Sequence, residues 1–322
     1  MDTWERPPAN SDYLIENGVL TAYKGPGGEA AVPAGVKAIG DYAFAGCKSL
    51  TAVLIPEGAR SVGDHAFDGC ENLTRADIPQ SAASIGDYAF CGCKSLAAVS
   101  IPEGAAIIGA SAFEGCENLT SAVLPQSAIV IDQSAFAFCK SLTSLILPQD
   151  LRIIEPRAFW GCENLTDLVL PENAVQIGSH AFYGCKSLGS VVLPKGVKRI
   201  GKSVFGESRP ALIAPHIPIG NFCAEDKPGA ACGFAKAYLD GAEIDEEIRA
   251  GYLRYIKSQK KRLYPLALRH EELLRLMLAE NIPSQKDLGL LLEECESQQN
   301  EAAKAATLKY ARQKGFDGVY SA

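Results

Sequence analysis

An α+β solenoid is the fold this sequence predicts: a curved repeat array with a parallel sheet on one face, followed by a C-terminal all-helical segment. Three observations carry that prediction. Pro33, Pro56, Pro79, Pro102, Pro125, Pro148, Pro171 and Pro194 fall 23 residues apart without a slip. Phe44, Phe67, Phe90, Phe113, Phe136, Phe159, Phe182 and Phe205 keep the same period, and so do Cys47, Cys70, Cys93, Cys116, Cys139, Cys162 and Cys185. A fixed period of this length means one structural turn per repeat, each turn burying its apolar residues only against its neighbours. Such an array has one continuous core and a long open surface, which suits binding better than chemistry.

The elements follow in chain order. Residues 1–32 are expected to form an N-terminal β-hairpin cap, because two β-prone runs flank Asn17-Gly18, the strongest short hairpin signal. Residues 33–205 make the array, seven full repeats and a partial one. Within a repeat, Leu50, Val53 and Ile55 have the L-x-x-L-x-L spacing of a leucine-rich repeat strand that joins a parallel sheet. Pro56 ends the strand, since it has no N–H to give to a ladder. Val62 points inward at the next corner. Ala66, Phe67, Cys70 and Leu73 are spaced as on a helix, so a short irregular helical turn is expected to return the chain to the next strand.

Seven cysteines at one repeat position stack on rungs roughly 4.8 Å apart. Parallel side chains at that spacing are poorly placed for the disulfide dihedral near 90°. They read as reduced, buried side chains packing as small hydrophobes, which fits a reducing compartment. Lys48, Lys94, Lys140 and Lys186 alternate with Glu71, Glu117 and Glu163 at one position, predicting a ladder of alternating charge.

Beyond Phe205 the period stops. Pro210, Pro215, Pro218 and Pro228 mark residues 206–241 as an irregular connection. Residues 242–322 then read as a helical domain of four or five short helices in antiparallel hairpins. Ile244, Ile248, Tyr252, Tyr255 and Ile256 line one helix face that Pro265 ends or kinks, Ser284 with Asp287 resembles a capping box, and Gly315 fits a C-terminal stop.

The composition excludes several classes. No run of 18 apolar residues is present, so no membrane insertion is expected. The net charge of −7 carries no basic footprint for nucleic acid. The N-terminal residues lack a basic start and an apolar stretch, which makes the cytoplasm the expected location, with the cell surface as the alternative if the natural chain begins further upstream.

The chemical motifs are weak. Gly196–Ser203 matches the phosphate-loop pattern G-x-x-x-x-G-K-S letter by letter, but Gly196, Ile200 and Gly201 match Gly58, Val62 and Gly63 of an earlier repeat, and Ile200 is expected to point into the core. His65 and His180 are five rungs apart, too far to share a metal, and His65 stands between Tyr42 and Tyr88 in an expected aromatic stack. Cys91 and Cys93 lack a second ligand pair. Lys257, Lys260, Lys261 and Arg262 lie near a helix end, where cations complement the dipole; an acidic partner or nucleic acid is the other reading. No cofactor, metal or catalytic residue is assigned.

The candidate binding surface is the outward face of the sheet. At the position after the second L of each strand stand Leu54, Asp77, Ser100, Val123, Ile146, Val169 and Val192, so that four consecutive rungs are apolar. Ser121, Ser144, Asp167 and Ser190 border them. Three readings stay open: a partner site, a face covered by the chain's own helices, and β-branched residues favouring strands.

The recurring I-G-x-x-A-F-x-x-C-x-x-L-x-x-(V/L)-x-(I/L)-P, as at Ile85-Gly86, Ala89-Phe90, Cys93, Leu96 and Ile101-Pro102, resembles the BspA-like leucine-rich repeat family of bacteria and some protists. The resemblance implies a curved solenoid used in adhesion or protein recognition, with some relatives displayed on cell surfaces. The expected function is noncatalytic binding of a protein partner through the sheet face. The alternatives are a cell-surface adhesin for host or bacterial proteins and an enzyme with its site in the helical part.

Overall fold

The computed structural model describes residues 12–208 and 210–316. They divide into two compact units, one running to Gly189 and resuming at Pro194–Ser208, the other made of Ser190–Leu193 with the residues from Pro210 on.

The first unit is a parallel β-solenoid. It opens on a hairpin, Tyr13–Glu16 antiparallel to Val19–Tyr23, turning through Asn17 and Gly18 at φ 51° and 80°. Val19–Tyr23 pairs in parallel with Ala38–Ile39, and from there a ladder of two-residue strands runs rung by rung to Arg199–Ile200, forming a ten-stranded sheet. Its inward residues are Ile39, Val62, Ile85, Ile108, Ile131, Ile154 and Ile177, all buried. After five of these seven residues stands a glycine, and a Cβ on Gly86 would sit 2.7 Å from the Asp64 backbone nitrogen; after Ile131 and Ile154 the position is taken by Asp132 and Glu155.

The longest continuous sheet is therefore not the L-x-x-L-x-L strand that the sequence points to. That strand forms, but in pieces: Gly28–Ala31, Leu50–Leu54 and Arg75–Asp77 make one three-stranded sheet, Ala98–Ser100 pairs with Ser121–Val123, and Ser144–Leu145 pairs with Asp167–Leu168. Because Gly28–Ala31 pairs with Leu50–Leu54, the first rung begins before Pro33.

The returning wall is not helical, a second correction. The N–H groups of His65, Phe67 and Gly69 donate to Asp87, Ala89 and Cys91 of the next rung, while those of Ala66, Asp68 and Cys70 close tight turns on residues three back. A left-handed residue interrupts each wall, with φ between 49° and 62° at Tyr42, His65, Tyr88, Ser111, Ser134, Arg157, His180 and Ser203. Helix-like side-chain spacing survives, but every second N–H goes to the neighbouring rung, where an α-helix would consume it internally.

Between the walls lies a column of rings. From Phe44 to Phe205, neighbouring phenylalanines have centroids 4.8–5.6 Å apart and lie within 15° of parallel. Tyr23 continues the column onto the hairpin, 4.9 Å from Phe44. Beside it runs the cysteine column. Cys70, Cys93, Cys116, Cys139, Cys162 and Cys185 are buried, and each thiol donates to the carbonyl of the phenylalanine 26 residues earlier at 3.0–3.3 Å. Ser208 takes the next rung with the same bond, Oγ to the Phe182 carbonyl, so the array extends past Phe205.

Burial pushes the thiols of Cys70 and Cys185 up to about 12 and those of Cys93, Cys139 and Cys162 well above their ordinary value. Since the thiolate is the reactive form, rapid modification of the folded protein at pH 8 is expected to reach at most Cys47, Cys91 and Cys223, which are half-buried. All 11 should react in denaturant. Thiol counting before and after unfolding checks this, and rapid native labelling of the ladder would refute its burial.

The charge ladder is present on the surface. Lys48 and Lys94 reach Glu71 at 2.9 and 3.6 Å, Lys140 reaches Glu117 at 3.2 Å and Lys186 reaches Glu163 at 3.2 Å. Exposed pairs contribute about 0–1 kcal/mol each, so their main effect is on rung register.

The second unit contains more order than the irregular connection expected over 206–241. Ala211–Ile213 is a strand paired in parallel with Ser190–Val192, and α1 is Lys227–Leu239. Proline density hid both. Helix α1 lies directly on the strand: a Cβ on Gly233 would meet the Leu212 carbonyl oxygen. Helix α2, Glu246–Ala267, is capped by Asp245, which accepts from the N–H groups of Glu247 and Ile248, and it carries Pro265 in its last turn. Its Tyr252 stacks on Phe234 at 4.4 Å and donates to the Ile217 carbonyl. Helices α3 (Glu271–Ala279), α4 (Gln285–Ser297) and α5 (Glu301–Gln313) complete the unit. Ser284 and Asp287 form the capping box of α4, and Gly315, at φ 64°, follows α5.

Candidate functional site

Strand pleating places alternate side chains on opposite faces. In the segments 145–147 and 168–170 Leu145, Leu147, Leu168 and Leu170 are buried, and the residue between each pair points out. Val123, Ile146 and Val169 are 62, 83 and 78% exposed on successive rungs, and Ser121 and Ser144 are exposed two residues before the first two of them. Asp167 pairs with Ser144 through its backbone, and its side chain is outside the described part of the structure. The strip is bounded on the earlier rungs by exposed Ser100 and by Asp77, which pairs with Arg75 at 2.7 Å. Val192, 54% exposed, and Ser190, also exposed, belong to the second unit, so the first unit carries three of the four apolar rungs.

The other motifs resolve structurally. Residues 196–203 continue the repeat: Arg199–Ile200 is the last strand of the ten-stranded sheet, the Gly201 N–H donates to the Ile177 carbonyl and the Lys202 N–H to Ser179 Oγ. No helix follows, so the backbone N–H groups that would cradle a phosphate are spent on the rung before. Ile200 is half-buried, where full burial was expected. His65 is sandwiched between Tyr42 and Tyr88 at 4.7 and 4.6 Å, within 5° of parallel to each, and its Nδ1 lies 2.9 Å from Asp68 Oδ2. Of the basic cluster, Lys260 is an ion-pair partner, 2.6 Å from buried Asp287. Among the described residues no group of three or more His, Cys, Asp or Glu could hold a metal ion, and no helix is long and apolar enough to cross a membrane.

A second surface escaped the sequence reading. On the returning wall, Phe138 and Trp160 have ring centroids 5.6 Å apart, Tyr183 stands edge-on to Trp160 at 5.8 Å, and the Arg157 guanidinium lies 4.8 Å from the Trp160 ring centre. A signal for it was in the sequence: aligned by repeat, Phe138 occupies a glycine position.

With the repeat geometry in place, comparison with known proteins identifies the family. The BspA type leucine-rich repeat region matches residues 28–128 and 106–218 in 6 copies, together more than half the chain. The chain belongs to the BspA-type leucine-rich repeat family. Membership in this family points to protein interaction or surface display as the kind of role, and its repeats are generally noncatalytic. Solved structures similar to this BspA-type chain include the leucine-rich repeat protein TpLRR of T. pallidum, at 28% identity over 64% of this chain and 91% of that one, TM-score 0.48. A leucine-rich repeat protein from Bacteroides ovatus is 26% identical over 61% and 66%, TM-score 0.45. A leucine-rich cell surface protein from Faecalibacterium prausnitzii is 20% identical over 67% and 90%, TM-score 0.36. No curated protein matches the chain.

Proposed function

We propose that this BspA-type chain is a noncatalytic recognition module that binds a protein partner through the outward face of its L-x-L strands. The observation that carries the reading is the strip of Val123, Ile146 and Val169, three large apolar side chains on successive rungs with more than half of each in solvent. Rungs ~4.8 Å apart make the strip about 10 Å long, enough for one helix face or an extended segment. A stable interface covers roughly 800 Å² per partner, so Ser121 and Ser144 contribute to the rim and Asp167 is a candidate to extend it.

The buried thiol ladder supports a reducing compartment such as the cytoplasm over surface display. Changing Ile146 and Val169 together to Asp is expected to abolish partner capture from lysate of the source organism with the circular dichroism spectrum and thermal midpoint unchanged, because neither side chain fills the core. A folded double variant that captures the same partners moves the binding face elsewhere, and an unfolded one shows that the strip is structural.

A further inference from the structure

Along the returning wall, Gly46, Gly69, Gly92, Gly115, Gly161 and Gly184 share one repeat position, all with φ between 67° and 74°. Phe138 stands at that position with φ 59°. A bulky side chain held in this left-handed region is strained, and strain of this kind concentrates at functional positions. Burial does not offset it, for Phe138 is 39% exposed. Its ring lies over the next rung, where a Cβ on Gly161 would come within 2.9 Å of it. At the adjacent repeat position Trp160 and Tyr183 replace Ala45, Asp68 and Glu114 of other rungs. Arg157 is exposed and stacks on Trp160, with no carboxylate within ion-pairing distance among the described residues.

We propose that Phe138, Arg157, Trp160 and Tyr183 form a second recognition site, on the turn wall and distinct from the strand-face strip, that takes an acidic peptide segment of a protein. The segment's carboxylate meets the Arg157 guanidinium, whose planar donor fork matches a carboxylate, and an adjacent apolar side chain packs on Phe138 and Trp160. Trp, Tyr and Arg are the residues enriched in binding hot spots, and an unpaired cation already held over an aromatic face loses little freedom on binding. These side chains and neighbouring His180 include no carboxylate or carboxamide, so a hydroxyl-rich glycan would find few side-chain acceptors here.

Selection of a random phage-displayed peptide library on the full-length protein tests this. Wild-type protein should enrich peptides with Asp or Glu next to an apolar residue. As synthetic peptides these should bind Arg157→Gln at least about 10-fold and Trp160→Ala about 30-fold more weakly, the sizes expected of hot-spot truncations, and should bind Ile146→Asp/Val169→Asp unchanged. Phe138→Gly should weaken the same peptides while keeping or raising the thermal midpoint, since it relieves backbone strain. No enrichment, enrichment without acidic residues, equal binding to Arg157→Gln, or Trp160-dependent binding of neutral glycans in place of peptides would each overturn the proposal. So would a lowered midpoint in Phe138→Gly, which would make the ring a structural filler. Should Trp160→Ala unfold, exposed Arg157→Gln carries the test alone.

Discussion

Phe113→Ala is expected to destabilise the first unit by about 3–5 kcal/mol, the usual cost of truncating a buried phenylalanine. Phe113 is fully buried in mid-column, stacked on Phe90 at 5.4 Å and on Phe136 at 5.2 Å. The loss includes two aromatic pairings worth roughly 0.5–1.5 kcal/mol each beyond the apolar area. A solenoid has only nearest-neighbour contacts, so a hole in the middle also weakens the coupling of the rungs on either side, and the unfolding transition should broaden. Urea unfolding followed by far-ultraviolet circular dichroism measures both effects. Phe113→Leu keeps most of the volume and should cost less. A Phe113→Ala loss below about 1 kcal/mol would contradict the ring column as the main source of cohesion between rungs.

In the second unit, Lys260→Met is expected to cost about 2–3 kcal/mol at neutral pH. Asp287 is buried, and burial alone would raise its pKa; the Lys260 ammonium and the N–H and O–H of Ser284 outweigh that and bring it down from 3.8 to about 2. A depressed carboxylate adds stability that is complete above its unfolded pKa near 4 and is lost as pH falls through about 2. Removing the lysine leaves a buried anion with only Ser284 to hold it, so Asp287 in the variant should take up a proton at higher pH than in the wild type. The gap in stability between Lys260→Met and wild type should therefore be widest near pH 7 and narrow toward about pH 2.5. Adding Asp287→Asn removes the stranded charge and should restore most of the loss. A gap independent of pH would mean that the lysine stem's packing, not its charge, is what the unit needs.

Much of the core was legible in the sequence because stacking repeats the same neighbours. A residue at one repeat position touches its own equivalents one rung away, so the Phe column, the buried cysteines, the alternating Lys and Glu and the Tyr42–His65–Tyr88 stack all follow from period alone. Outward exposure of Val123, Ile146 and Val169 follows from pleating, given the L-x-L register. The phosphate-loop resemblance at Gly196–Ser203 was separable from function by the same register.

Backbone hydrogen bonding between rungs was a matter for the tertiary structure. N–H and C=O groups are the same in every residue except proline, which lacks the N–H, so a periodic sequence says which residues stack but not which of two strand positions keeps its ladder unbroken; the Val62-type dipeptides do so and the L-x-L strands do not. The left-handed residues of the returning wall were hidden for a related reason: Tyr, His, Ser and Arg all occupy that position, and none announces a positive φ. At Pro210–Ile213 the prolines read as irregular, yet Ala211–Ile213 gains a strand from a partner some 20 residues earlier, Ser190–Val192. That pairing takes Val192 out of the first unit and shortens its apolar strip to three rungs. Position in the period determined what is buried in this protein, whereas the surfaces it can present to a partner depended on how chain segments far apart in sequence pair and turn.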